Sequence, residues 1–162
     1  RIVGALGVRE QDLTRPIPYD DGTCTTTWRI DQHYPMEKNS RDYPGEEWMS
    51  YGKLMPIDPY AIPYRCLYSR DIDNMFMAGR DISVTHVALG SVRVMRTCAM
   101  MGEVVGLAAN VCTKKKIMPR AIYTSYFSDL VELMKKGAGR TDVPYTQFYH
   151  QVDRTGHQAE DR

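Results

Sequence analysis

The residues best suited to chemistry in this sequence lie between Gly79 and Ser91. A short apolar run ends at Gly79, and Gly90 and Ser91 stand at the predicted start of a helix. The first N–H groups of a helix have no partner within it, and this end carries partial positive charge. The segment is therefore suited to bind an anion or an electron-rich carbonyl oxygen. The alternative is a purely structural turn, since most strand-to-helix turns bind no ligand.

A few titratable side chains near this segment are candidates for proton transfer or substrate binding. His86 precedes the predicted helix and is the catalytic candidate, as a proton donor or acceptor. The alternative is that it only braces the loop or contacts a cofactor. Arg93 and Arg96 suit a substrate carboxylate, or else pair with acidic neighbours. His33, with Asp31 and Trp28, is a candidate to line a substrate cleft, or else forms the polar end of an ordinary strand.

The four cysteines do not form a recognisable metal or redox motif. Cys24, Cys66, Cys98 and Cys112 are spread along the chain, and no two are closer than 14 residues. A zinc knuckle or a dithiol motif needs a close pair. We therefore expect plain buried or half-buried thiols and no metal site.

The first 70 residues are predicted to be rich in β-structure. Seven of the nine prolines lie there, which argues against long helices. Residues 24–31 alternate between a more apolar and a more polar set, which predicts one half-buried strand. The stretch from Tyr60 to Tyr68 is interrupted by Pro63, so we expect an edge strand or a bulged one.

The following residues predict a strand and two helices. Residues 74–78 resemble a buried parallel strand, and a mostly buried helix is expected from Ser91 to about Cys112. Small residues recur along this helix at spacings of three and four, which allows another backbone to approach closely. They are Ala99, Gly102, Gly106 and Ala109. An amphipathic helix is predicted from Pro119, a good first residue, to Gly137, a good C-terminal cap.

Composition excludes several classes of protein. With 162 residues, 43% hydrophobic content and a net charge of +1, the chain suits one globular core and has no general attraction for nucleic acid. No apolar run approaches the length needed to span a bilayer. Because the chain begins Arg-Ile-Val-Gly without methionine, we expect a domain or a processed piece of a longer protein.

The segment from Asn74 to Met95 resembles a known cofactor-binding motif. It reads Asn, hydrophobic residues and Ala-Gly-Arg80, then Ser83, then His86, then Gly-Ser-Val-Arg-Val-Met95. This pattern is similar to the last FAD-contacting motif of the FAD-dependent oxidoreductase family, related to the glutathione-reductase-like flavoproteins. Residues 1–70 are also similar to that family's middle region, through residues 1–4 and 28–33.

The resemblance implies an α+β fragment of a two-domain flavoprotein with a Rossmann-like part. Residues 1–70 would be a β-rich part of the substrate domain, and residues 71–113 a strand, loop and helix of the FAD-binding domain. Residues 114–139 would form a closing helix and residues 140–162 an irregular tail. The implied cofactor-binding residues are Gly79, Arg80, Ser83, His86, Leu89, Gly90, Ser91 and Val92.

The sequence lacks the glycine-rich motif that would complete such an FAD site. The pyrophosphate half of such a site needs a G-x-G-x-x-G turn, and these 162 residues contain none. We therefore expect the FAD site to be split, with the rest on a missing N-terminal FAD-binding portion. The fragment alone would be inactive. It would cover its small-residue stripe with its own β-rich part or form a homodimer.

The predicted function is that of the parent enzyme, a flavin-mediated redox step on a small molecule. Carbohydrate-derived compounds are one candidate class of substrate, and FAD would carry out the electron transfer. The alternative is an accessory or carbohydrate-binding module of a lyase-type, polysaccharide-processing protein. In that case Trp28, Trp48 and the tyrosines would present a sugar-stacking surface.

Overall fold

The computed structural model describes residues 2–35, 41 and 50–137, and it has the predicted α+β class. Its helices are α1 (Glu10–Thr14), α2 (His86–Val92), α3 (Met95–Lys115), α4 (Pro119–Ala121) and α5 (Phe127–Lys136). Its strands are β1 (Gly22–Thr26), β2 (Ile30–Pro35), β3 (Ser50–Met55) and β4 (Tyr60–Pro63). Within the described ranges, no helix is long and apolar enough to cross a membrane. The predicted tail at 140–162 lies outside them.

The strands form two antiparallel pairs. β1 pairs with β4, so that Thr25 lies opposite Ala61, and β2 pairs with β3, so that His33 lies opposite Gly52. The prediction of one strand over residues 24–31 is therefore wrong in its extent. The chain leaves the sheet at residues 27–29 because the two halves have different partners, and Trp28 is half exposed there.

The stretch from Tyr60 is irregular, as predicted. β4 ends at Pro63, and the chain continues into a 3-10 turn over Tyr64–Cys66. The pairing with β1 also shifts between Gly22 and Thr25. A proline has no N–H to donate to a partner strand, so regular pairing ends there.

Residues 74–78 do not form the predicted parallel strand. Tyr68 and Phe76 form an isolated antiparallel bridge, and Met77 N donates to the carbonyl oxygen of Leu67 at 2.8 Å. Met77 itself is buried, so the apolar pattern correctly marked burial. The pattern did not fix the strand direction, because direction depends on which segment lies alongside.

The predicted helix over residues 91–112 is two helices. α2 ends at Val92, and α3 begins at Met95 after the extended residue Val94. α3 is also half buried rather than mostly buried. Its buried face includes Met101, Val104 and Ala108, which pack in the core beside β1 and α5.

The closing helix confirms both predicted ends. Pro119 occupies the first turn of α4, and a π-helical turn over Ile122–Tyr126 leads into α5. The helix stops at Gly137, whose φ is 66°. The buried Tyr64 joins this helix to the sheet, because its hydroxyl donates to the carbonyl oxygen of Pro119 at 2.9 Å.

Candidate functional site

The Gly79 turn lies against the first turn of α3. Gly79 has a φ of 108°, a conformation that favours glycine, and a Cβ there would lie 3.9 Å from the Sγ of Cys98. Arg80 is exposed beside it. Burial raises the pKa of the Cys98 thiol, and the charge of Arg80 partly opposes this. Residues nineteen positions apart are thus brought together.

The N-terminus of α3 presents free backbone donors next to this turn. The first helical hydrogen bond from this end runs from Cys98 N to the carbonyl oxygen of Val94, at 2.9 Å. The amides of residues 95–97 precede that bond, and Met95 is 90% exposed. Arg96 is also exposed, whereas Thr97 is buried, so the helix start is open at its first two residues, and its partial positive charge is suited to developing negative charge.

α2 holds the other half of the predicted segment. Thr85 caps it by accepting a hydrogen bond from Ala88 N at 3.5 Å. His86 is the first helical residue and is exposed, and Leu89 is half buried. Val92, the last residue of α2, is fully buried.

Gly90 and Ser91 contact the strands of the β-rich part. A Cβ at Gly90 would lie 2.6 Å from the carbonyl oxygen of Asp31, so β2 packs directly on this glycine. Ser91 is fully buried, and its Oγ donates to the carbonyl oxygen of Trp28 at 2.7 Å. The hydroxyl of Thr26 in turn donates to the carbonyl oxygen of Ser91 at 2.8 Å. These two residues therefore position the loop between β1 and β2.

Ser83 is also buried, below the N-terminal segment. Its amide donates to the carbonyl oxygen of Cys66 at 3.1 Å, and its own carbonyl accepts from Val8 N at 3.0 Å. A Cβ at Gly4 would lie 2.7 Å from the Cβ of Ser83. Ser83 thus lies in the packed interior, while Arg80 and His86 are exposed.

The remaining candidate polar side chains lie on β2 and around the junction between α2 and α3. Arg93 is half buried and donates from Nη2 to the carbonyl oxygen of Asp31 at 3.1 Å. Arg96 is exposed at the start of α3. On β2, the imidazole Nε2 of His33 lies 3.2 Å from Oδ2 of Asp31. Of the candidate residues, the structure therefore brings His33 and Asp31 together and gives Arg93 a backbone partner.

The sequence pattern did not indicate that the start of α3 carries a group of backbone hydrogen-bond donors. It placed the helix start at residues 89–91, whereas the free amides belong to residues 95–97. No proline or glycine lies between Val92 and Met95, so no local breaker marked the junction.

Amides at the start of α3, beside the Gly79 turn, are donors of the kind that suits the negative charge of a reduced flavin ring or another anion. The roles of the individual predicted residues stay predictions. Among the described side chains, no group of three or more His, Cys, Asp or Glu is placed to hold a metal. The cysteines are free thiols, two of them buried.

The sugar-stacking alternative would require Trp28 and Trp48 on one surface. Trp28 is 47% exposed, and Trp48 lies outside the described residues.

Comparison with known families finds that the model of the family described as FAD dependent oxidoreductase matches residues 1–134. Neither the curated proteins nor the solved structures contain a match.

Proposed function

The chain belongs to the FAD dependent oxidoreductase family, and from this we propose that it supplies the ring-binding half of a split FAD site. The parent is proposed to be a glutathione-reductase-like flavoprotein that oxidises or reduces a small molecule, with carbohydrate-derived compounds as one class. This chain would be its C-terminal portion and would be inactive alone.

One observation carries the proposal, namely the contact between the Gly79 turn and the open start of α3. Reduction of a flavin places negative charge near one edge of its ring, and preorganised amides stabilise such charge without reorganising. The amides of residues 95–97 meet that requirement. Arg80 and His86, both exposed, are the side chains proposed to contact the cofactor.

The missing half of the site is proposed to dock on the exposed face of α3. Gly102 and Gly106 are exposed, and apart from the adjacent backbone of α3 itself a Cβ at either would meet no atom of the described residues within 4 Å. Small residues at this spacing allow a second backbone to approach closely. The proposed occupant is the part of the parent that carries the glycine-rich pyrophosphate turn, which is absent from these 162 residues. A homodimer is the alternative occupant.

The test is a titration of this chain with FAD, followed by flavin fluorescence, beside the full-length protein that contains it. We expect tight binding by the full-length protein and weak binding by this chain. Each lost phosphate contact removes a charge-assisted hydrogen bond of about 1.5–3 kcal/mol. Solution mass identifies the state that binds. Submicromolar binding by a monomer of this chain would refute the split site.

The role of His86 is tested separately in the full-length protein. A His86→Ala variant that keeps FAD but loses turnover by about 10²-fold or more would assign proton transfer to it. Loss of FAD with normal turnover per bound flavin would instead assign a cofactor contact. Normal FAD content together with normal turnover would refute both roles.

A further inference from the structure

Met95 has the most exposed large apolar side chain that the structure describes. It is 90% exposed, and Met118 follows at 55%. The other methionines within the described ranges are buried or half buried, namely Met55, Met75, Met77, Met100, Met101 and Met134. An oxidant in solution therefore reaches the sulfur of Met95 more readily than that of any other described methionine.

The cysteines compete weakly for such an oxidant. Cys24 and Cys66 are buried, and Cys98 and Cys112 are half buried. Burial raises the pKa of all four thiols, so they stay protonated at neutral pH, whereas the thiolate is the form that peroxides attack. A thioether needs no deprotonation, so Met95 is the accessible sulfur nucleophile.

Met95 is the first residue of α3, at the site proposed for the flavin ring. Its backbone amide is one of the donors that precede the first hydrogen bond of the helix, from Cys98 N to the carbonyl oxygen of Val94. Cys98 also faces the Gly79 turn, where a Cβ would lie 3.9 Å from its Sγ. Side chains three residues apart on a helix are neighbours. A polar group on the Met95 side chain would therefore lie next to the open helix start.

Met95 also heads the exposed face of α3. Met95, Ala99, Gly102 and Gly106 are all exposed, and their spacings of four, three and four residues place them on one side of the helix. Of these four residues, Met95 alone has a large side chain. A change at Met95 would therefore act at one end of the surface proposed to receive the missing half of the site.

We propose that Met95 is a modification site at which a peroxide converts the thioether to a sulfoxide, and that the sulfoxide weakens flavin binding. The sulfur attacks one peroxide oxygen, an S–O bond forms, the O–O bond breaks, and the second oxygen leaves as water with both hydrogens. The sulfur loses the two electrons that reduce the peroxide. The new oxygen is a hydrogen-bond acceptor with partial negative charge, so it competes with a reduced flavin ring for the amides of α3. The effect on flavin rests on the proposed function.

The first test locates the modification in this chain, by peptide mass spectrometry after treatment with dilute hydrogen peroxide. We expect the sulfoxide to form first at Met95, more slowly at Met118 and last at the buried Met101. The rate at Met95 should be the same at pH 6 and pH 8, because a thioether has no proton to lose. Oxidation of Met101 as fast as Met95 would overturn the site. This test needs no FAD, so its failure is distinct from a failure of the proposed function.

The second test compares FAD binding by the full-length apoprotein before and after peroxide, followed by flavin fluorescence. The dissociation constant should rise about tenfold, the equivalent of about one hydrogen bond, and methionine sulfoxide reductase should restore it. Met95→Leu should show no change on treatment. Met118→Leu is the matched control and should respond as the unsubstituted protein does, because Met118 lies beyond the far end of α3, a helix of 21 residues and about 30 Å.

Two results would overturn the effect on flavin binding. One is an unchanged dissociation constant after complete oxidation of Met95. The other is a Met95 that resists peroxide in the full-length apoprotein, because the side chain would then be covered before FAD binds. A full-length protein that binds no FAD before treatment would instead refute the proposed function, and the effect on flavin with it, while the first test would still decide the modification site.

Discussion

Replacing Gly90 by alanine should destabilise the chain by about 2 kcal/mol. The new Cβ would lie 2.6 Å from the carbonyl oxygen and 2.9 Å from the amide nitrogen of Asp31. Both are backbone atoms, so no rotamer change can relieve the clash, and the cost lies near the upper end of about 1–3 kcal/mol for overpacking. Inside a helix alanine is more favourable than glycine by about 1 kcal/mol, so the net destabilisation is about 2 kcal/mol.

Gly102→Ala is the matched control, because it makes the same chemical change on the exposed face of α3. Apart from the adjacent backbone of α3 itself, no atom of the described residues lies within 4 Å of a Cβ at Gly102, so only the helix preference remains. We expect a gain of about 1 kcal/mol. For a chain of this size the melting temperature should fall by about 4–8 °C in Gly90→Ala and rise by about 2–4 °C in Gly102→Ala.

The assay is urea unfolding of both variants, followed by tryptophan fluorescence and circular dichroism, with the slopes compared to confirm that the unfolded states match. Stability changes of opposite sign are the expected result. A Gly90→Ala variant as stable as the unsubstituted chain would show that α2 does not pack on β2 at this distance. A Gly102→Ala variant that is destabilised would show that this face of α3 is covered within the chain.

Three further predictions concern charge, pH and assembly. Arg65→Ala should lower the free energy of unfolding in urea by about 3–5 kcal/mol, because the buried Asp21 carboxylate loses the guanidinium that lies 2.9 Å away. The control is Arg70→Ala at the exposed pair with Asp71, which should change this free energy by less than about 1 kcal/mol. Burial raises the pKa of Cys24 to about 12, so the unfolded state loses this proton at lower pH than the folded state does. The free energy of unfolding should therefore fall as the pH rises from about 9 to about 12. An equally steep fall in the Cys24→Ala variant over the same pH series would contradict this. Gly106→Leu should raise the melting temperature of this chain by about 2–4 °C, as Gly102→Ala does, but cost about 1–3 kcal/mol in the full-length protein, and equal melting shifts in both would contradict docking on α3.

Several elements could be predicted because their signals lie in neighbouring residues. Pro119 has a fixed φ and no N–H to lose, so it marked the first turn of the closing helix. Gly137 adopts a positive φ and marked its end. Gly79 marked its turn for the same reason. In each case the backbone preference of one residue decides the local conformation.

The extents of the strands could not be predicted in this way. Residues 24–31 alternate as one strand does, yet β1 and β2 pair with segments that follow fifteen or more residues later in the chain. Hydrogen bonds to different partners require the chain to change direction between them. Alternation reports which side chains are buried, and it carries no information about which strand lies alongside.

The candidate site shows the same division between local and distant causes. By itself, the sequence determined the α+β class, the glycine turn at residue 79, the closing helix and the resemblance that identifies the family. Only the tertiary structure decided that α2 stops at Val92 and that the free amides belong to residues 95–97. The physical reason is that α2 is held by Gly90 and Arg93 against Asp31, about sixty residues earlier in the chain. A contact over that separation forms only when β2 is folded beside the helix, so no pattern of neighbouring residues encodes it.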